Sequence, residues 1–199
     1  MITHSLIIAC LESYGMVEKQ ARLMEKLLPP NWEFILVDDV SQPPIPEHAA
    51  YHLLRIVDEL RAPGEWTQHE AVNTGVLLAK GEYILKSDID HVLTPGAIEA
   101  ADRFTGDMML FHRKAGLLKD DLTIEPLEHE VYSPVDDIYL MRKSLFLKDG
   151  GYPSTRKYGT AGKHFWQYSR RPEAQPPEGA LIYVTPDTHE TYHSLVRAG

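Results

Sequence analysis

The stretch "YILKSDIDHVLTP", residues 83–95, runs an apolar segment into two carboxylates, Asp88 and Asp90, one residue apart. A short apolar run bounded by polar residues reads as a buried strand. The Thr-Pro that follows opens "TPGAIEAADRF" (94–104) as a helix with proline near its first turn. Two acids therefore stand where a strand ends. Upstream, "HEAVNTGVLLAK" (69–80) suits a helix, with Gly81 expected as its left-handed C-terminal cap.

The same alternation extends back to the start. "SLIIAC" (5–10) reads as a buried strand. Val17, Ala21, Met24, Leu27 and Leu28 recur at helical spacing from Met16 to Leu28, and Pro29-Pro30 stops that helix. "FILVDDVS" (34–41) is a second strand ending in acid, and "HLLRIVDE" (52–59) reads as a third. Strand and helix in alternation imply an α/β fold with a mostly parallel central sheet and helices on both faces. Ligands in such sheets bind at the carboxyl ends of the strands, where strand order reverses. Asp38–Asp39 and Asp88–Asp90 both fall at carboxyl ends.

The second half is less regular. "DMMLFHR" (107–113) and "DIYLMRK" (137–143) read as strands separated by a polar, acidic connection. "SLFLKDGGYP" (144–153) reads as a short helix closed by glycines, "GKHFWQYSRR" (162–171) as an aromatic-rich helix, and "ALIYVTP" (180–186) as a last strand. No internal repeat or linker interrupts the 199 residues, so one domain over 1–199 is expected.

Bulk properties narrow the function classes. A hydrophobic fraction of 43% and a charged fraction of 25% are those of a globular protein. The net charge of −9 argues against a broad nucleic-acid-binding face, which needs clustered Lys and Arg. Cys10, the single cysteine, has no internal disulfide partner and sits in an apolar run as core filling. No apolar run approaches the roughly 18 residues of a membrane span, and the start lacks a basic n-region. The expectation is a cytoplasmic protein, free or peripheral to a membrane.

Paired carboxylates at a strand end suit a hard divalent cation. Mg²⁺ takes one or two carboxylates from the protein and fills its shell with water and substrate phosphate; Mn²⁺ also favours oxygen donors. A D-x-D pair thus suggests a phosphorylated substrate, although alone it is a weak signal.

Its context is more specific. "VNTGVLLAKGEYILKSDIDHVLTPGAIEAA" resembles the central block of the family 2 glycosyltransferases, which share the GT-A fold. "FILVDDVS" is similar to that family's earlier strand with its D-D-x-S turn, and "DGGYP" to its later G-G-F segment. The resemblance implies transfer of a sugar from a nucleotide-diphosphate donor, UDP- or GDP-type, with Mn²⁺ or Mg²⁺. It implies a donor half over about residues 1–105 and an acceptor half over about 106–199. Asp39 matches the acid contacting the nucleotide base, Asp88 the acid near ribose and metal, and Asp90 the acid ligating the metal. Asp38, Cys10, Glu12 and Asn73 complete the implied donor-binding set. The "YHS" of residues 192–194 resembles the segment that brings a histidine to the metal, which nominates His193, with His189 as alternative. Arg170 and Arg171 stand where a loop could neutralise donor phosphate.

The chain departs from the family pattern in three places. Glu12, in "ACLE", stands where an asparagine is common. His91 follows the acidic pair where a third acid is common. Gly162 and Lys163 stand where an acid usually serves as the base that deprotonates the acceptor. His164 and Asp137, with its neighbour Asp136, are the remaining base candidates. A route in which the departing phosphate takes the proton also stays open, as does a catalytically weak nucleotide-sugar-binding module. "ILKSDIDHVLTP" also looks like the motif of haloacid dehalogenase-type phosphatases. That motif normally follows a chain's first strand and carries glycine where His91 stands, so it is the weaker reading. A nucleotidyltransferase would need a Gly-rich loop that "ACLESYG" lacks.

Overall fold

A computed structural model describes residues 1–57, 66–127, 138–153 and 181–184. In chain order its elements are β1 (His4–Cys10), α1 (Tyr14–Leu27), β2 (Trp32–Asp39), β3 (His52–Ile56), α2 (Gln68–Leu78), β4 (Tyr83–Asp88), β5 (His91–Leu93) and α3 (Pro95–Asp102). Then come β6 (Met108–Leu110), β7 (His112–Leu118), β8 (Ile124–Pro126), β9 (Tyr139–Arg142), α4 (Lys143–Lys148) and β10 (Leu181–Val184).

Among the described residues the main sheet has the order β3-β2-β1-β4-β9-β6. β3, β2, β1 and β4 are mutually parallel, while β9 runs antiparallel to both β4 and β6. The expected mostly parallel α/β sheet is thus present, with one reversed strand supplied by the second half of the chain. A smaller sheet has the order β5-β10-β7-β8.

Period-two alternation explains why the first strands read as continuous apolar runs. Leu6, Ile8, Phe34, Leu36 and Leu85 face α1 and α3, through Met16, Val17, Ala21, Met24, Ala97 and Ile98. Ile7, Ala9, Ile35, Val37 and Ile84 face α2 and α4, through Ala71, Val72, Val76 and Phe146. Both faces of β1, β2 and β4 are buried, so neither can carry a polar stripe. Thr94 caps α3 as its sequence suggests: its Oγ1 accepts the Ala97 amide at 3.1 Å, and Pro95 follows.

Three local expectations change. Gly81 is no left-handed cap; α2 ends at Leu78 with extended Ala79. A Cβ on Gly81 would lie 2.6 Å from the His4 carbonyl carbon and 2.7 Å from the Ser5 nitrogen. Close approach to β1 therefore selects glycine there. "DMMLFHR" is two strands in different sheets, β6 and β7, joined at fully buried Phe111. β5, directly after the D-x-D pair, is an unforeseen strand; it pairs antiparallel with β10. Among the described residues the left-handed glycines are Gly150 and Gly151, at φ 82° and 69°, where "DGGYP" reverses the chain after α4.

Candidate functional site

Strand order reverses at β1, whose neighbours are β2 on one side and β4 on the other. The registers set Cys10 beside Asp38 and Ala9 beside Asp88. The two acidic clusters therefore flank the carboxyl end of β1, at the switch point where open α/β sheets bind ligands.

Asp88, the last residue of β4, is partly buried. Its Oδ1 accepts from Gln68 Nε2 of α2 at 2.7 Å and from Lys86 Nζ at 2.7 Å. Asp90 sits on the turn between β4 and β5 and makes no hydrogen bond or ion pair among the described residues. The turn itself is held from behind. Gln20 of α1 donates from Nε2 to the carbonyls of Ile89 (3.0 Å) and His91 (2.7 Å), one on each side of Asp90. The backbone is fixed while the carboxylate stays available.

His91, buried on β5, completes a cluster. Ligand atoms of Asp88, Asp90 and His91 lie within 4.8 Å of one another. Arg113 of β7 brings Nη1 to 3.1 Å from His91 Nε2. A guanidinium only donates, so Nε2 accepts and the ring proton sits on Nδ1. Nδ1 lies 4.0 Å from Asp88 Oδ2 and 3.3 Å from the Asp88 amide nitrogen. An imidazole keeps at least one ring proton, so both contacts of the ring cannot be accepted bonds; the shorter, charged one from Arg113 decides the tautomer. Two carboxylates, one of them unengaged, form a donor set that fits Mn²⁺ or Mg²⁺, with the His91 ring beside them.

The other acidic pair is engaged. Asp38, buried, accepts the Ser41 amide at 3.0 Å on Oδ1 and the Ile45 amide at 2.9 Å on Oδ2, with Arg55 Nε at 4.0 Å. It organises the loop after β2. Asp39, with no exposed surface, accepts the Thr67 amide at 2.6 Å and the Thr67 hydroxyl at 3.1 and 3.2 Å. Thr67 is the residue before α2, so Asp39 ties β2 to the start of the helix that also delivers Gln68 to Asp88.

Two left-handed residues line this edge. Glu12 lies at φ 52° and Val40 at φ 59°; the Glu12 amide donates to Ser41 Oγ at 2.9 Å, linking the loops after β1 and β2. Both side chains are poorly suited to that backbone, and such strain persists where surrounding structure holds it, often at functional sites. Asn73 holds the "GGY" turn: its Nδ2 donates to the Tyr152 carbonyl and its Oδ1 accepts the Tyr152 amide, each at 2.9 Å. Cys10 is buried, and burial with Asp38 and Asp39 nearby pushes its thiol up to about 12. Its place is the core.

The structure thus brings Asp88 and Asp90 together and adds His91, Lys86, Gln68 and Arg113. Lys86 is legible as a charge inside an apolar strand; Gln68 and Arg113 carry no sequence signal. Asp136, Asp137, His164, Arg170, Arg171, His189 and His193 lie outside the described residues.

The profile of glycosyl transferase family 2 matches residues 5–104, half of the chain. The chain belongs to glycosyl transferase family 2. Its fold is that of GT-A structures. S. aureus TarS 1-349 matches with a TM-score of 0.64 at 15% identity, over 98% of this chain and 64% of that one. TarS 1-349 in complex with UDP-GlcNAc matches with a TM-score of 0.66 at 16% identity, over 92% of this chain and 58% of the other. The mannosyltransferase PcManGT from Pyrobaculum calidifontis, in complex with GDP-Man and Mn²⁺, gives a TM-score of 0.58 at 15% identity. There the shares covered are 90% of this chain and 56% of PcManGT. The family 2 chain thus spans about three-fifths of the length of these structures. No curated protein sequence matches it. Among the described residues, no helix is long and apolar enough to cross a membrane.

Proposed function

We propose that this family 2 domain transfers a glycosyl group from a UDP- or GDP-type sugar donor to an acceptor, with Mn²⁺ or Mg²⁺ bound at Asp90. One observation carries the reading. In a chain of this family, Asp88, Asp90 and His91 converge within 4.8 Å at the reversal of strand order. The donors in the TarS and PcManGT complexes, UDP-GlcNAc and GDP-Man with Mn²⁺, support it.

In this reading Asp90 is the direct metal ligand, because its carboxylate is unengaged and its turn is pinned by Gln20. Asp88 lies beside it, with one oxygen held by Lys86 and Gln68. When bound, a divalent cation supplies charge that stabilises the departing diphosphate. Asp39 meets the nucleotide base, and His193 or His189 adds a further ligand. Residues 1–105 form the donor half and 106–199 the acceptor half. The acceptor base is Asp137 or His164.

The test is a panel of nucleotide sugars with Mn²⁺, followed for slow donor hydrolysis. Turnover that vanishes in EDTA and in Asp90→Asn supports the transferase. Metal-dependent donor binding without any turnover, even with candidate acceptors, supports a nucleotide-sugar-binding module instead. Turnover that ignores both EDTA and Asp90→Asn refutes the metal assignment.

A further inference from the structure

The alternation that turns Ile84 toward α2 turns Lys86 and Asp88 the same way, so a lysine shares the strand face of buried Ile84. Lys86 is 4% exposed. Its neighbours across the ladders are Ile7 and Tyr139, both fully buried. An ammonium in such surroundings is costly unless paired, and Asp88 Oδ1 pairs with it at 2.7 Å. That oxygen is one a metal would otherwise use.

We propose that Lys86 is an internal counter-cation that withholds Asp88 from a free divalent metal, so that the metal enters with the donor diphosphate rather than before it. The inference rests on the transferase reading above. Among the described residues around the cluster, Lys86 sits on Asp88 and Arg113 stands behind His91. A free divalent cation meets one carboxylate already held by an ammonium and one unengaged carboxylate. The lysine cannot move to water without leaving the core, and it repels the cation that would compete for Asp88. A diphosphate changes this: it adds roughly two negative charges, provides phosphate oxygens as metal ligands and offers Lys86 a further anionic partner. Lys86 is thus a positioning residue that sets the order of binding.

The experiment is a titration of Mn²⁺ followed by electron paramagnetic resonance, alone and with saturating UDP or GDP. It uses the wild-type chain and Lys86→Met, Lys86→Gln and Lys86→Arg. Removing a charge this close to a divalent ion should tighten Mn²⁺ binding without nucleotide by about tenfold or more in the Met and Gln variants. Arg should behave like wild type, and wild type should bind Mn²⁺ far more tightly with nucleotide than without. A merely structural lysine would weaken binding when replaced, never strengthen it. If wild type binds Mn²⁺ equally with and without nucleotide, or if Met and Gln leave the free-metal affinity unchanged, the role of Lys86 is refuted while the transferase reading stands. If neither Mn²⁺ nor nucleotide binds under any condition, the transferase reading falls and this inference falls with it. Should Lys86→Met fail to fold, Lys86→Gln and the wild-type comparison decide.

Discussion

Glycine at position 75 lets α2 lie against the sheet, and replacing it tests whether that contact sets the site. A Cβ there would stand 2.7 Å from Ile7 Cγ2 and 3.1 Å from Val37 Cγ2. Carbon atoms pack at about 3.5–4.0 Å, so Gly75→Ala demands a helix displacement of roughly 1 Å. Ile7 and Val37 are fully buried and stiff at χ1, so their methyl groups have little room to turn away. Alanine gains about 1 kcal/mol of helix propensity, whereas overpacking costs about 1–3 kcal/mol. The net expectation is a loss of about 0–2 kcal/mol. Gly15→Ala provides the control: the same chemical change in α1, with nothing within 4 Å of the new Cβ, should stabilise by a few tenths to about 1 kcal/mol. Since about 1 kcal/mol moves Tm by about 2–4 °C at this size, circular dichroism melting separates the two variants. The functional consequence is larger, because the start of α2 holds Asp39 through Thr67 and Asp88 through Gln68. A shift of about 1 Å there should weaken nucleotide binding by roughly tenfold or more. If Gly75→Ala melts as high as Gly15→Ala and binds nucleotide normally, α2 does not position the site in this way.

Other perturbations probe separate links. Glu12→Asn suits φ 52° better than glutamate, so it should raise Tm by about 1–3 °C, checked by the same melts. His4 is stacked against Trp32 (4.6 Å) and Tyr83 (5.3 Å) and bonded through Nε2 to the Ala101 carbonyl; burial holds its pKa below the ordinary value, with Asp102 opposing. The unfolded chain therefore binds this proton more readily than the folded one, and stability is lost as pH falls below about 6.5. Denaturant titrations from about pH 7.5 to about pH 5 should show that loss diminished in His4→Phe, and an unchanged slope would remove His4 as its source. Cys10, with its thiol pushed up to about 12 under burial, should resist iodoacetamide in the native chain and react in denaturant, as mass spectrometry would show.

The donor side of the site is readable in the sequence because it is local. Asp88, Asp90 and their strand sit within a few residues of one another, and burial on both faces writes β1, β2 and β4 as unbroken apolar runs. Gly81 stands out as a special position for the wrong reason, since only the tertiary contact with Ser5 shows close approach rather than a left-handed turn. What escapes the sequence is non-local. Gln68, Gln20 and Arg113 reach the cluster from α2, α1 and β7, at separations where spacing carries no signal. The split of residues 107–113 between two sheets depends likewise on β9 and β10 pairing from far along the chain.

The metal role of Asp90 is tested most directly by calorimetric titration of UDP and GDP in Mn²⁺ or EDTA, for wild type and Asp90→Asn. At least one nucleotide should bind in Mn²⁺, EDTA should remove this binding, and Asp90→Asn should weaken it by about tenfold or more. Equal affinity in wild type and Asp90→Asn, with or without metal, would contradict the assignment of Asp90.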